Sequence, residues 1–445
     1  MNHQGAEKVI APLSSKEGTY PFFDTYMQYV GETESPTLYH RWTALSIIGA
    51  LIARKIYFPF GHSFIYPNQY VLLTGTPGAR KGTAIKIGSN LLRAIDYKHL
   101  APNRAAKEAF WSWMSKHHLQ CDLPEEEQDQ SEWIFNMQDE KDLITEAYIA
   151  QDEFLDFIGS NDKDFVTNLA NLWDNLPKYD NPKTRDDDVY IYNPTVNILS
   201  GITPSGIADG FKTLALGGGF FSRILFVYTD PTGNKITYPT EPCKIHESFL
   251  TQQLLKIQEL EGQLILNPEV RALIDTIYKN SPGIPDRRFQ YYNERRLTHL
   301  IKLILILSAS NLSLEPTVTD VILANTILYN TEINMPKALG EYGKSRHSEV
   351  ANAILTLLNN SDKPLSIRKI YKEVGRDLNK FNEMIDIIES LLQQERIQRV
   401  TGTIGAKEVL YLPNNTVVTK WREDLINMDL LYSNEQVIWN GEITI

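Results

Sequence analysis

The stretch of sequence that decides the fold is Gly75-Thr76-Pro77-Gly78-Ala79-Arg80-Lys81-Gly82-Thr83. It follows an apolar, β-rich run at 69–74 and precedes a run with helical spacing at 83–95, so it joins a predicted strand to a predicted helix. A glycine-rich loop in this position turns its backbone N–H groups toward a phosphate, and Lys81 adds a positive charge for the β- and γ-phosphates of a nucleotide. The sequence therefore predicts a phosphate site formed by Gly75 and by residues 77–83.

This loop departs from the general pattern GxxxxGK[ST] at two positions. Arg80 stands where the glycine before the lysine is expected, and Gly82 stands where a hydroxyl that binds Mg²⁺ is expected. Thr83 supplies a hydroxyl one residue later, so we predict that Thr83 takes the Mg²⁺ position or that the affinity for the metal is reduced. The alternative interpretation is an ordinary strand-to-helix turn with an exposed Lys81.

A second motif lies on the next predicted strand. Residues 145–150 form an apolar run that ends in Gln151-Asp152-Glu153. In nucleotide hydrolases an Asp at this place orders Mg²⁺ and the following Glu polarises the attacking water. An isolated Asp-Glu pair more often begins a helix, but its position on a strand after a phosphate loop favours the catalytic interpretation for Asp152 and Glu153.

Three further residues are candidates for contact with a γ-phosphate. Arg223 precedes the predicted strand 224–229 and could stabilise transition-state charge at a neighbouring subunit; a surface arginine or a structural ion pair is the alternative. Arg295 opens a predicted amphipathic helix, where a basic helix end on the surface is the alternative. Asn197, Ser200 and Thr203 compete for a sensor role on the strand 195–201, and we select Asn197.

The polar segment 178–188 is predicted to be a hairpin that contacts nucleic acid. Lys178, Lys183 and Arg185 could bind phosphates, and Tyr179 could stack on a base. The acidic run 186–188 opposes that interpretation, and a solvated hairpin turn is the alternative.

Composition and charge restrict the class of protein. The chain has 445 residues, a formal net charge of −11 and 42% hydrophobic residues, a globular balance that suggests two or three domains. Two cysteines without a CxxC pair exclude a disulfide scaffold and a cysteine zinc site and fit a reducing cytosol. No apolar run reaches the roughly 18 residues that a membrane span needs. We therefore expect a cytoplasmic protein, in the host cytoplasm if a phage encodes it, with no membrane partner.

Alternation of strands and helices over 69–229 predicts an α/β fold with a parallel sheet. We expect a leader (1–20), an N-terminal helical region (21–68), an α/β core (69–232), a helical lid (233–340), a winged helix (345–413) and a C-terminal tail (414–445). The last two predictions depend on helical runs at 350–358, 367–374 and 380–394, followed by two strands, and on Trp421 and Trp439 in the tail.

Together these motifs resemble the AAA+ ATPases of the MCM-like group, especially replicative helicases of phages and mobile elements. Their P-loop also reads G-x-P-G-x-x-K, and their second motif reads D-E-F, as Asp152-Glu153-Phe154 does. Their arginine finger lies in S-R-F-D-L, which Ser222-Arg223-Ile224-Leu225-Phe226 matches in part. Their sensor-2 helix R-x-L-x-x-L-I-R-L is similar to Arg295-Arg296-Leu297-Thr298-His299-Leu300-Ile301-Lys302-Leu303. The resemblance covers residues 21–413. Gly82 and the absence of an Asn before Pro204 depart from it.

The resemblance implies an ATP- and Mg²⁺-dependent DNA helicase or translocase. It implies a homo-oligomer, expected to be a hexamer, on single-stranded or forked DNA, with Arg223 acting in trans and Arg295 acting from the lid. We further expect the tail to bind a replisome protein. A different class stays open: a AAA+ helicase loader or regulator that binds ATP and protein partners without unwinding DNA. A structural domain with an inactive nucleotide site is the third interpretation.

Overall fold

The computed structural model describes residues 20–31, 33–102, 107–122, 144–159, 163–175, 178–181, 189–211, 219–231, 235–281, 283–340, 346–359, 361, 363–374, 381–393, 397–401, 409–413, 425–426 and 438–439. The predicted leader lies outside these residues apart from Tyr20. Lys183, Arg185 and most of the predicted tail also lie outside them.

Contacts divide the chain into two compact units, Met1–Leu339 with Lys420–Glu442, and Gly340–Thr419 with Ile443–Ile445. The helices of the first unit are α1 (Pro21–Val30), α2 (Thr37–Ile52), α3 (Lys81–Ala94), α4 (Lys107–Asp122), α5 (Phe154–Ile158), α6 (Lys163–Trp173), α7 (Pro204–Gly210), α8 (Lys244–Gln258), α9 (Pro268–Asn280), α10 (Gln290–Ser310), α11 (Val318–Glu332) and α12 (Met335–Ala338). Its strands are β1 (Ile56–Phe60), β2 (Ser63–Ile65), β3 (Tyr70–Thr74), β4 (Thr145–Gln151), β5 (Lys178–Asn181), β6 (Val189–Tyr192), β7 (Pro194–Ile202), β8 (Ile224–Tyr228) and β9 (Gly262–Gln263).

The central sheet of the first unit is parallel and has the strand order β4-β7-β3-β8. All described residues of β3 and β7 are buried, which is typical of strands covered on both faces. The register pairs Tyr70 with both Ile198 and Ile224, so the strands begin and end at common edges. We call the edge where β3, β4, β7 and β8 end the carboxyl edge and the opposite one the amino edge. The prediction of a mixed α/β fold with a parallel sheet is confirmed.

Helices that precede the central strands in sequence pack together with helices that follow them. Trp42 Nε1 in α2 donates to Thr331 Oγ1 in α11 at 2.9 Å, and the Tyr20 hydroxyl donates to Asp320 Oδ1 at 2.7 Å. These buried bonds join segments about 300 residues apart. The predicted boundaries at 68/69 and 232/233 therefore fall inside one compact unit.

A small sheet with the order β2-β1-β9 lies outside the central sheet. Strand β1 pairs antiparallel with β2 and parallel with β9. Strand β2 has only three residues, which are too few to show an alternating pattern in the sequence.

The second unit contains helices α13 (Arg346–Asn359), α14 (Ile367–Val374) and α15 (Phe381–Gln393) and strands β10 (Leu365–Ser366), β11 (Ile397–Thr401) and β12 (Val409–Pro413). The strands form an antiparallel sheet in the order β10-β12-β11. A core that includes Ile354, Ile370, Met384 and Ile388 holds the helices together. Three helices and the pair β11–β12 were predicted from the sequence, whereas β10 was not.

Two short strands, β13 (Leu425–Ile426) and β14 (Ile438–Trp439), pair antiparallel within the region predicted to be a tail. Among the described residues, no helix is both long enough and apolar enough to cross a bilayer.

Candidate functional site

The segment predicted to bind phosphate, residues 75–83, is called the phosphate loop. It follows β3 at the carboxyl edge and includes the first three residues of α3. Gly78 has φ +87° and Arg80 has φ +57°, so the loop needs two residues in the left-handed region. Glycine adopts that region freely, whereas an arginine there costs roughly 1–2 kcal/mol. The backbone therefore shows why the general pattern prefers glycine at the position of Arg80.

Arg80 forms an ion pair with Glu34. Arg80 Nε lies 2.6 Å from Glu34 Oε2, and Glu34 Oε1 accepts a hydrogen bond from the backbone N–H of Ile236 at 2.9 Å. Glu34 lies in the loop between α1 and α2, so Arg80 ties the phosphate loop to that loop. These contacts lower the pKa of Glu34, first through the Ile236 N–H and then through Arg80.

Lys81 is the buried cation of the phosphate loop. Its Nζ donates to the carbonyls of Gly75 at 2.9 Å and of Thr76 at 3.2 Å. The ammonium group therefore lies against the backbone at the start of the loop. Burial lowers the pKa of Lys81, and the charge of Glu153 acts in the opposite direction.

Tyr39 of α2 holds the start of the phosphate loop. Its hydroxyl donates to the Thr74 carbonyl at 2.7 Å, and a Cβ on Gly75 would lie 2.5 Å from that hydroxyl oxygen. Gly75 is therefore required by close packing. Sequence reasoning missed Tyr39, because an aromatic residue in a buried helix carries no pattern that distinguishes a loop support from ordinary core.

Gly82 provides space for Asp152. A Cβ at position 82 would lie 2.9 Å from Asp152 Oδ1 and 3.0 Å from its Cγ. The carboxylate thus occupies the region that a Ser or Thr side chain would enter, which explains the departure from the general pattern. Thr83 is exposed at the following helical position.

Gly201, near the end of β7, brings the two motifs together. A Cβ there would collide with the Asp152 carbonyl oxygen and would lie 3.5 Å from Lys81 Cβ. A glycine inside a strand commonly marks such a close backbone approach. A glycine inside a predicted strand is visible in the sequence and could have identified Gly201. Reasoning from charged residues alone missed it.

Glu153 is half-buried directly after Asp152 and before α5. Burial raises its pKa, the charge of Lys81 lowers it, and the charge of Asp156 raises it. A carboxylate with a raised pKa beside a phosphate loop has the properties of a general base for water.

Asn197 does not lie at this site, which corrects the sensor assignment. It pairs with Tyr148 within β4, and its Oδ1 accepts from the backbone N–H of Gln69 at 2.9 Å. Since Gln69 precedes β3, Asn197 lies at the amino edge, about 16 Å of strand away from the phosphate loop. Asn197 is the fourth of the nine residues of β7, whereas a residue that senses a γ-phosphate has to lie where the strand ends.

The two alternatives to Asn197 lie closer to the carboxyl edge. The Ser200 hydroxyl donates to the Gln151 carbonyl at 2.7 Å and joins β7 to β4. Thr203 follows β7, and its hydroxyl accepts from the Gly206 N–H at 3.0 Å as the cap of α7.

Arg223 and Arg295 meet at one carboxylate at the amino edge, and we call them the arginine pair. Arg223 contacts Asp174 Oδ2, and Arg295 NH1 lies 3.4 Å from Asp174 Oδ1. Both guanidinium groups also lie near the ring of Trp173, at 5.7 and 5.6 Å from its centroid. Arg223 precedes Ile224, which pairs with Tyr70 at the start of β3. The arginine pair is thus about 16 Å from the phosphate loop of its own chain.

The helix that carries Arg295 begins earlier than predicted. Helix α10 starts at Gln290, so Arg295 lies inside the helix and not at its N-terminus. Its neighbour Arg296 is buried and bonded to Glu332 Oε1 at 2.8 Å and to Asn325 Oδ1 at 2.9 Å. Arg296 therefore has a structural role, and of these two neighbouring arginines it is Arg295 that contacts Asp174.

The predicted nucleic-acid hairpin is present as β5 and β6, but Lys183 and Arg185 at its tip lie outside the described residues. Lys178 Nζ lies 4.6 Å from the ring centroid of Tyr190. Tyr179 is buried and stacks on Trp111 with centroids 4.9 Å apart, so it is not an exposed platform for a base. Tyr190 is the exposed aromatic residue of the described part of the hairpin.

A cavity of 430 Å³ adjoins the contact between Arg80 and Glu34. It is lined by Met27, Val30, Gly31, Thr33, Ser35, Thr37, His40, Lys235 and Ile236. Ser35 Oγ and His40 Nδ1 are buried atoms with no hydrogen-bond partner. Burial lowers the pKa of His40 to about 4, so its ring is neutral at pH 7.

Asp152 is the carboxylate at the carboxyl edge that lies against Gly82. Among the described residues, no group of three or more His, Cys, Asp or Glu side chains could hold a metal ion by itself. Mg²⁺ in such sites usually has one or two carboxylates together with substrate phosphates and water. Asp152 provides one carboxylate beside the phosphate loop, and this carboxylate fills the space over Gly82.

Comparison with known protein families gave no matching family model, and no curated protein matches the sequence.

Proposed function

We propose that this chain is an ATP-driven, ring-forming DNA helicase or translocase of DNA replication. The observation that carries the proposal is that Lys81, Asp152 and Glu153 lie together at the carboxyl edge. Gly82 and Gly201 leave the space for this packing. Both the strand order and the helical region are compatible with the AAA+ core that the sequence motifs suggest.

ATP is the proposed substrate, and its phosphates would bind the backbone N–H groups of the phosphate loop and Lys81 Nζ. Mg²⁺, when bound, would neutralise part of the phosphate charge, with Asp152 and Thr83 as the residues available to hold it. Glu153 would orient the attacking water and accept its proton. Arg80 would remain paired with Glu34 at one side of the loop.

The 430 Å³ cavity beside Glu34 has the size and lining to take the nucleotide base. Its apolar side chains, Met27, Val30 and Ile236, would cover the faces of the base. Ser35 and the neutral His40 offer buried polar atoms that have no partner, and these could bond to the edge of the base.

The arginine pair supports an oligomer in which each subunit completes the site of its neighbour. Arg223 and Arg295 lie at the amino edge, at the opposite end of the central strands from the phosphate loop of their own chain. We therefore propose that both act in trans, which replaces the expectation that Arg295 acts from the lid of its own subunit. A closed ring, such as a hexamer, supplies every subunit with one neighbour on each side.

Contacts with single-stranded or forked DNA are proposed for two parts of the chain. Lys178 and Tyr190 of the hairpin combine a cation with an exposed ring, a pairing that suits single strands. The second unit has an element order that is compatible with a winged helix. The exposed basic side chains among its described residues include Arg368, Lys369, Lys372 and Arg399. A replisome protein is the proposed partner of the segment after residue 413.

The test measures phosphate release by the full chain with and without single-stranded DNA, together with strand displacement on a forked duplex. The proposal expects ATP hydrolysis that DNA stimulates and displacement that depends on ATP. Hydrolysis without displacement would instead favour a AAA+ loader or regulator. Absence of both, with intact folding, would refute the nucleotide site.

A further inference from the structure

We propose that Asp174 is a positioning residue that holds Arg223 and Arg295 together, so that they reach a neighbouring subunit's phosphates as a pair. The inference rests on the proposed function, since it assumes that the arginine pair acts in trans. It assigns a role to a residue that belongs to no nucleotide-binding motif of the sequence.

Asp174 bridges the two arginines. Asp174 follows α6 directly, and its two oxygens go to different arginines: Oδ2 to Arg223 and Oδ1 to Arg295. The three residues come from three separate segments of the chain. A short carboxylate with two acceptor oxygens can fix the separation of two guanidinium groups, which a single-acceptor side chain does less well.

The carboxylate of Asp174 balances the charges of the two guanidinium groups. Arg223 is 7% exposed, and a buried charge is costly unless it is paired. Arg295 feels the charge of Arg223, since its pKa is lowered first by burial and then by that charge, while Asp174 acts in the opposite direction. One carboxylate therefore offsets the repulsion between two cations that would otherwise separate.

Trp173 forms the surface on which the arginine pair lies. Trp173 is buried, and its ring lies under both guanidinium groups, with Lys302 Nζ 4.3 Å from the ring centroid. The Trp173 carbonyl accepts from Asn68 Nδ2 at 3.1 Å and from Asn175 Nδ2 at 3.0 Å. These bonds fix the end of α6, so Asp174 is presented from a rigid support and not from a mobile loop.

The charge balance also leaves the pair able to bind an anion. Two arginines share one carboxylate, so one positive charge is not neutralised within the group. Asp174 has 38% of its side chain exposed, so the group is reached from solvent. A terminal phosphate of a neighbour's ATP is an anion of suitable charge, and guanidinium groups favour such oxygens.

The experiment uses two full-length subunits that are inactive alone in the proposed arrangement. The Arg223→Ala subunit has an intact phosphate loop and no finger, and the Lys81→Ala subunit has an intact finger and a defective loop. In their mixture, hydrolysis arises only where the first subunit's loop meets the second subunit's arginine pair. Asp174→Asn is then introduced into one subunit at a time.

Asp174→Asn in the Lys81→Ala subunit is expected to lower the recovered kcat by about ten-fold or more, with KM for ATP changed less than about two-fold. The same change in the Arg223→Ala subunit is expected to cost far less, because that subunit supplies no finger. Asp174→Glu in the Lys81→Ala subunit should retain more activity than Asp174→Asn, because it keeps the charge.

The outcomes distinguish the positioning role of Asp174 from the trans arrangement and from the proposed function. Equal losses from both placements would show general structural damage and would overturn the positioning role, as would no loss or a gain in the Lys81→Ala subunit. A parent mixture that recovers no hydrolysis, while the wild-type chain hydrolyses ATP, would refute the trans arrangement and the role of Asp174 with it. A wild-type chain without hydrolysis would refute the proposed function itself.

Discussion

At the carboxyl edge of the central sheet, the site has two carboxylates, Asp152 and Glu153, around one buried cation, Lys81. At the amino edge the balance is reversed, since Arg223 and Arg295 share the single carboxylate of Asp174. The strands are parallel, so these edges lie on opposite sides of one subunit, about 16 Å apart along β3. Each edge therefore has the charge that the other lacks, and a head-to-tail neighbour could supply it.

The largest effect is expected at the carboxyl edge. Lys81→Ala should lower ATP hydrolysis by about 10³-fold or more, because the lysine provides a fixed charge at the phosphates. Glu153→Gln should also lose hydrolysis while it retains bound ATP. Phosphate release and binding of labelled ATP measure the two steps. Lys86→Ala is the control, since Lys86 is exposed on the same helix; wild-type turnover by Lys81→Ala or Glu153→Gln would remove the site assignment.

The next effect belongs to the amino edge. Arg223→Ala should keep ATP binding and lose hydrolysis by about 10³-fold, because a trans arginine contributes on that scale. Mixing it with Lys81→Ala should restore part of the activity. Arg93→Ala, which changes an exposed arginine of α3, serves as the matched control. If the specific activity of the wild-type chain is constant on dilution to the monomer, the two edges do not meet between subunits.

A smaller effect tests how the carboxyl edge is packed. Gly201→Ala places a Cβ against the Asp152 carbonyl, and overpacking of this kind lowers the free energy of unfolding by about 1–3 kcal/mol. It should lower hydrolysis as well, since Asp152 and Lys81 must shift. Ser200→Ala removes one hydrogen bond on the same strand and should cost about 1 kcal/mol. Denaturant unfolding measures both, and a stable, fully active Gly201→Ala would show that this close approach is not needed.

The metal position gives a finer test of the same edge. Gly82→Ala should raise the Mg²⁺ concentration needed for half-maximal hydrolysis, because the added Cβ would lie 2.9 Å from Asp152 Oδ1 and displace it. Thr83→Val should raise that concentration if the Thr83 hydroxyl is a ligand. A Mg²⁺ titration unchanged by Thr83→Val would leave Asp152 and water as the ligands.

The smallest effect is a shift in pH dependence. Glu153 must be deprotonated to accept a proton, and burial raises its pKa, so activity should fall on acidification earlier than for an exposed glutamate. The charge of Asp156 raises this pKa further. Asp156→Asn should therefore lower the pKa and move the acidic limb of the kcat profile to lower pH. Asp164→Asn, an exposed change on α6, should leave the limb in place; a shift to higher pH in Asp156→Asn would contradict the assignment.

The sequence by itself determined the parallel strands, the phosphate loop between β3 and α3, and the position of Asp152 and Glu153 at the end of β4. These features depend on residues that are neighbours along the chain, where apolar period, glycine content and charge are visible directly. The helical runs of the second unit were visible for the same reason.

Only the tertiary structure decided which distant residues meet. It placed Asn197 at the amino edge, Asp152 over Gly82, and Arg223 with Arg295 on Asp174. Arg223 and Arg295 are far from Asp174 in sequence, and their contact depends on how α6, β8 and α10 pack against each other. Packing of that kind is set by the burial of whole helix and strand faces, so no local pattern of residues contains it.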